Sequence, residues 1–196
     1  MTPTKYRLAL LILSCLMASK MILAQSADTA INRLYNEIAN SYDVQSKYIG
    51  CYGNLSTQYK KVDSLKSLTG PQRFLEYFNS NSVNLKYYAY VEILALDDEL
   101  ALEKLLGIIN CGDSINIEFA GQVRDNIKLS ELLTRQYLSH IKMKYYYGDI
   151  STYDGRTYAF EKKNRPKWRA KTAIIKGIIQ MNGLNEKWVE ADLVRD

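Results

Sequence analysis

From residue 28 onward, apolar side chains return at helical intervals in one segment after another. Ile31, Leu34, Tyr35, Ile38 and Tyr42 share a face with mostly polar residues between them, and Asp28 stands where an N-cap belongs. A half-buried helix is expected there. A second is expected over Leu55–Leu68, with Leu55, Tyr59, Val62 and Leu65 inside and Lys60, Lys61, Asp63 and Lys66 outside. Thr69-Gly70 ends it, and Pro71 falls in the first turn of the next helix, where proline is tolerated. That helix runs to about Phe78. After the Asn79–Ser82 turn, Leu85, Ala89 and Ile93 recur every four residues, and Tyr88 and Leu96 extend the stripe. Asp97-Asp98 breaks and recaps the chain. Leu102, Leu105, Leu106 and Ile109 then mark a further helix that stops at Asn110-Cys111-Gly112.

The period changes at Ser114–Phe119, where Ile115, Ile117 and Phe119 alternate with polar residues as in a half-buried strand. A long helix comes next, over about Leu129–Tyr146. Tyr153-Asp154-Gly155-Arg156 offers a two-residue hairpin turn within residues 150–160. A last helix starts near Pro166, carries Ala170, Ile174, Ile175, Ile178, Ile179 and Met181, and ends at Asn182-Gly183. Trp188–Val194 fits a strand or a helical tail equally. The expected fold is mainly α: short antiparallel helix pairs with a small β element at about 114–119 and 150–160. No Pro-, Gly- or Ser-rich linker divides residues 25–196, so one domain is expected.

The segment ahead of this pattern is of another kind. Lys5 and Arg7 precede an apolar run from Leu8 to Met17 that only Ser14 breaks, and Lys20 interrupts its continuation. A basic start followed by a short apolar stretch is the pattern of a secretory signal peptide. A spanning helix needs about 20 continuous apolar residues, roughly twice this run. Cleavage is expected after Ala24, which places the remainder in the periplasm or outside the cell. Leu13-Ser14-Cys15 also fits a lipobox, which makes a lipoprotein anchored through Cys15 the alternative. Losing residues 1–24 removes Lys5, Arg7 and Lys20, so the formal charge falls from +5 to +2. Overall charge then gives no case for nucleic acid.

Cys15 leaves with that segment, and Cys51 and Cys111 remain where disulfides persist. A bridge and two free thiols are both consistent with the spacing.

Phe74–Leu94 resembles one HEAT-type helical repeat. Leu85-Lys86 stands at the aliphatic-basic pair that opens the second helix, Ala89 at the small position and Ile93-Leu94 at the closing pair. The small residue permits close helix approach. The turn lacks the usual proline, and lysine replaces the usual arginine. Tyr59–Leu96 also resembles secreted bacterial proteins with a HEAT-like core. The resemblance implies stacked helices offering a surface, with no reaction attached.

Candidate chemistry is sparse. His140 is the only histidine and lies mid-helix, so a structural role is expected and no metal or cofactor is expected. No phosphate loop, nucleophile elbow or zincin motif occurs. Lys162, Lys163, Arg165, Lys167, Arg169, Lys171 and Lys176 form a basic run around Trp168, uninterrupted by acid between Glu161 and Glu186. It reads as a solvated helix face or as a site for an anionic envelope component. Tyr87, Tyr88 and Tyr90, and Tyr145, Tyr146 and Tyr147, cannot all face one core, because successive helical residues lie about 100° apart. Some are expected at the surface, either as ordinary surface residues or as a recognition patch. The leading expectation is a non-enzymatic binding or scaffold module with a protein partner. A polyanion binder acting through residues 162–176 and a carboxylate-dependent enzyme are the alternatives.

Overall fold

The computed structural model describes residues 25–49, 54–119, 122–142, 144 and 165–182. A first helix, α1, spans residues 25–39. Three two-residue strands come after it: β1 (Val44–Gln45), β2 (Tyr48–Ile49) and β3 (Asn54–Leu55). Then come α2 (Thr57–Thr69), α3 (Pro71–Glu76), a 3-10 turn at Tyr77–Asn79, α4 (Val83–Leu96) and α5 (Asp98–Ile108). Strands β4 (Ser114–Phe119) and β5 (Gln122–Lys128) lead into α6 (Leu129–Ile141), and α7 covers Arg165–Asn182. The fold is mainly helical with a small sheet.

Local chemistry accounts for the helix ends. Ser56 caps α2 by accepting from the Tyr59 N–H, Ser82 caps α4 by accepting from the Leu85 N–H, and Asp97 caps α5 by accepting from Glu99 and Leu100. Gly70 serves two helices at once. It ends α2, where its N–H donates to Lys66, and it precedes Pro71 at the start of α3. Its φ of 80° lies in the region that favours glycine.

The sheet has the order β1-β4-β5, with β1 parallel to β4 (Val44 opposite Ile117) and β5 antiparallel to it. A bulge falls between Ile115 and Ile117. The partner of β4 is therefore β5, which the hydrophobic pattern leaves unmarked because Gln122–Lys128 is apolar only at Val123 and Ile127. The hairpin expected at 150–160 lies outside the described residues. A second pairing joins β2 and β3, with Tyr48 opposite Leu55.

Helix α4 is the hub, packing against α3, α5, α6 and β4. Leu85, Tyr87, Tyr88, Ala89, Tyr90, Ile93 and Leu94 are all buried. A helix apolar around its whole circumference is one with neighbours on every side. That is why three tyrosines, on different sides of the helix, are all inside, contrary to the expectation that some reach solvent. Tyr88 stacks edge-on against Tyr59 and Tyr87 with centroids 5.4 and 5.1 Å away, and its hydroxyl accepts from the Gln45 N–H at 2.9 Å. Burial pushes the Tyr59 phenol up to about 12 and raises those of Tyr87, Tyr88 and Tyr90 further.

Three other expectations are corrected. Asp28 lies inside α1 and is not its cap, because the helix already runs at residue 25. Tyr42 and Leu96, placed on buried stripes by periodicity, are 68% and 69% exposed, since α1 has ended before Tyr42 and Leu96 is the last residue of α4. Leu55 belongs to β3 and is also exposed. The helix pair carrying the HEAT-type resemblance folds as α3 and α4, with Leu85, Ala89 and Ile93 buried. Lys86 does not reach back over the turn: its ammonium meets the Asp113 carboxylate at 2.9 Å, ahead of β4. That contact, together with a Cys111 thiol hydrogen bond, holds the Asp113 carboxyl below its usual range.

Candidate functional site

The sequence-derived candidates separate into three groups. Tyr87, Tyr88 and Tyr90 are core residues, which removes them as a recognition patch. Tyr145, Tyr146, Tyr147, Lys162 and Lys163 lie outside the described residues. Arg165, Lys167, Trp168, Arg169 and Lys171 fall in the N-terminal half of α7, where Arg169 is exposed and Lys171 is buried. Cys111 is a half-buried thiol, and Cys51, its candidate disulfide partner, lies outside the described residues. His140 is half-buried in α6. Among the described residues no group of His, Cys, Asp and Glu could hold a metal ion, and no helix is long and apolar enough to cross a membrane.

Lys171 does not belong to a solvated face. Its ammonium lies 3.1 Å from one Asp98 carboxylate oxygen and also pairs with Glu99, while Lys144 meets the other Asp98 oxygen at 2.9 Å. The Asp98 and Lys171 side chains are only 8% and 9% exposed. Burial alone pulls the Lys171 pKa down, but hydrogen bonds to Glu99 and Asp98 outweigh it and the net shift is upward. Tyr137, beside this pair, is pushed up to about 12 by burial. Burial, then Lys144, lowers the pKa of His140, against the opposing pull of Asp98. Two carboxylates thus converge, but they converge on a lysine that stays protonated. The arrangement joins the start of α5 to α7 and to Lys144, just past the end of α6, by fixed charge.

A groove that the sequence did not mark lies elsewhere, where the end of α1 meets the start of α4 and the start of β4. Its volume is about 630 Å³. The buried amide of Asn84 donates to the Ile38 and Ser41 carbonyls at 3.2 and 2.7 Å. Asn116 donates to the Tyr42 carbonyl at 3.1 Å, and the Ser41 hydroxyl donates to Gln58 at 3.0 Å. The Asn84 bond to Ile38 reaches a carbonyl in the last turn of α1, and the bonds to Ser41 and Tyr42 tie down the turn that follows it. They also pin the groove floor. On its rim, Asn36, Asn40, Asn81 and Tyr42 are exposed, and among the described residues the side-chain amides of the three asparagines have no hydrogen-bond partner.

Among the described residues, the groove wall contains no Asp, Glu, Lys or Arg. With 24% of the chain charged, 13 lining residues would carry about three such groups. Its chemistry is therefore that of amides, hydroxyls and tyrosine rings, each amide offering both donors and an acceptor. No protein-family model, no curated protein and no solved structure matches this chain.

Proposed function

We propose that the chain is an exported, non-enzymatic binding module built on short HEAT-like helix pairs, with the amide-lined groove as its recognition site. The observation that carries this reading is the division of labour among the groove asparagines. Asn84 and Asn116 hold the frame, while Asn36, Asn40 and Asn81 project polar groups that the fold itself does not use. A site held rigid by supporting hydrogen bonds loses less entropy when a ligand docks. The strongest alternative to binding, catalysis by converging carboxylates, is less well supported because Asp98 and Glu99 are spent on Lys171.

A photo-crosslinking residue placed at Asn81 in the native host tests the reading, with the same residue at exposed Lys60, outside the groove, as control. Capture of one defined species from Asn81 alone is expected. Equal capture from both positions, or none from Asn81, would refute it. A second reading, an anionic partner at α7, keeps one favourable observation: Arg169 and Lys176 are exposed and seven residues apart, hence on one face. It predicts heparin retention at low salt that Arg169→Glu with Lys176→Glu abolishes, and absence of retention by the unmodified chain counts against it.

A further inference from the structure

The groove discriminates by what its wall lacks as much as by what it holds. Among the described lining residues an anionic ligand finds no lysine or arginine, and a cationic one finds no carboxylate. A predominantly apolar ligand needs a largely hydrophobic lining, as most small-molecule pockets have, and this wall is mainly amide and hydroxyl. An extended peptide gains affinity by pairing with an open strand edge and specificity from side-chain pockets. Here β4 is paired with β5 along its length except at the bulge at Asn116, and β1 covers it at Ile117 and Glu118, so the edge left on the groove side is only the three residues 114–116.

What remains is a neutral ligand rich in groups that both donate and accept. Neighbouring hydroxyls on a sugar ring are such groups, and an asparagine amide answers them with two N–H donors and a carbonyl acceptor. Sugar rings also present an apolar C–H face. Tyr42, 68% exposed at the groove, supplies a flat amphipathic ring to pack against it, with half-buried Tyr35 behind. The volume of about 630 Å³ lies within the range of sites for small ligands, which suits a short saccharide segment. The buried Asn84 is already oriented by the two backbone carbonyls to which its amide nitrogen donates, and among the described residues no hydrogen bond engages its carbonyl oxygen.

Resting on the binding-module reading above, we infer that the groove is a binding site for a neutral carbohydrate: uncharged sugar units hydrogen-bonded by Asn36, Asn40, Asn81 and Asn84 and packed on Tyr42. Charge plays no part in the recognition. Raising salt from about 0.05 to about 0.5 M therefore leaves affinity within about twofold.

The test is binding of the chain, purified as its host processes it, to an array of neutral and anionic glycans, followed by titration calorimetry with the neutral oligosaccharides retained. Expected are retention of neutral glycans, salt-insensitive affinity, and a loss of about tenfold in Tyr42→Ala with recovery in Tyr42→Phe. Asn36→Ala and Asn81→Ala, at exposed positions where the fold loses no bond, are expected to weaken binding several-fold while the far-ultraviolet circular dichroism stays unchanged. A blank array, a preference for anionic glycans that salt abolishes, or neutral-glycan binding indifferent to Tyr42→Ala, Asn36→Ala and Asn81→Ala would each overturn the inference. A blank array together with a peptide captured from Asn81 removes the carbohydrate and leaves the binding module standing. A blank array with no capture removes both.

Discussion

Replacing Lys171 by methionine keeps most of the aliphatic stem and deletes a charge that meets Asp98 at 3.1 Å in a nearly buried setting. At an effective dielectric near 20 the attraction between unit charges at that distance is about 5 kcal/mol, much of it cancelled by the desolvation that brought them together. Removing one member leaves the cost without the compensation, typically about 3–5 kcal/mol. Here Lys144 remains on Asp98, and Glu99 is 74% exposed and loses little, so the expected cost of Lys171→Met is lower, about 2–3 kcal/mol. Asp98→Asn, which leaves Lys171 its Glu99 contact, should cost about 2 kcal/mol, including its favourable place at the start of α5. The double substitution should cost less than the two single losses together, by about 1 kcal/mol or more, because each single change removes the same Lys171–Asp98 contact. Urea unfolding followed by circular dichroism reads all three, and Lys171→Met should lower Tm by about 5–10 °C. If both single variants lie within about 0.5 kcal/mol of the parent, or their losses simply add, α7 is not held by a buried ion pair.

Three further outcomes rest on particular side chains. Tyr90 is fully buried and its hydroxyl has no hydrogen-bond partner, so Tyr90→Phe should leave stability unchanged or raise it by up to about 1 kcal/mol in the same unfolding experiment; a loss above about 1 kcal/mol would reveal a bond at that hydroxyl. Gly70→Ala forces a side chain into a conformation with φ of 80° and should cost about 1–2 kcal/mol, although a Cβ there meets no atom within 4 Å; no loss would mean that the corner between α2 and α3 relaxes. His140 titrates below its ordinary 6.5 in the folded chain, so the unfolded chain binds its proton first as pH falls. Its contribution to stability is whole above that value and declines as pH drops through 6.5 towards the lower folded value. His140→Gln should flatten the stability profile between about pH 7 and pH 5, and an unchanged profile would count against it.

The helices are legible in the sequence because their periodicity and caps are local. Ser82, Asp97, Gly70 and Pro71 mark their boundaries within a residue or two, and Tyr59, Val62, Leu65, Leu85, Ala89 and Ile93 lie inside as spaced. Errors arise where the outcome depends on distant neighbours. Periodicity describes a helix with one buried face, and α4 has no such single face, so spacing alone misplaces some of its tyrosines at the surface. Lys171 sits in a basic run whose neutralising partners lie 72 and 73 residues back, at the start of α5. The groove is hidden for the same reason. Asn81 and Ser82 read only as turn and capping groups, Asn84 carries no mark at all, and Asn36 and Asn40 read as the wet face of a helix. Nothing in the spacing within one segment shows that these faces meet.

The groove's three walls come from residues 35–42, 81–84 and 114–116, joined by hydrogen bonds that span 46 and 74 residues of chain. An unfolded chain, or any fragment lacking one wall, does not contain it. Ligand occupancy is therefore linked to folding: a ligand at ten times its dissociation constant adds about 1.4 kcal/mol to the folded state. Resistance to heat thus becomes a reporter of ligand chemistry, and compounds can be ranked by how far they raise the melting temperature before any activity is known.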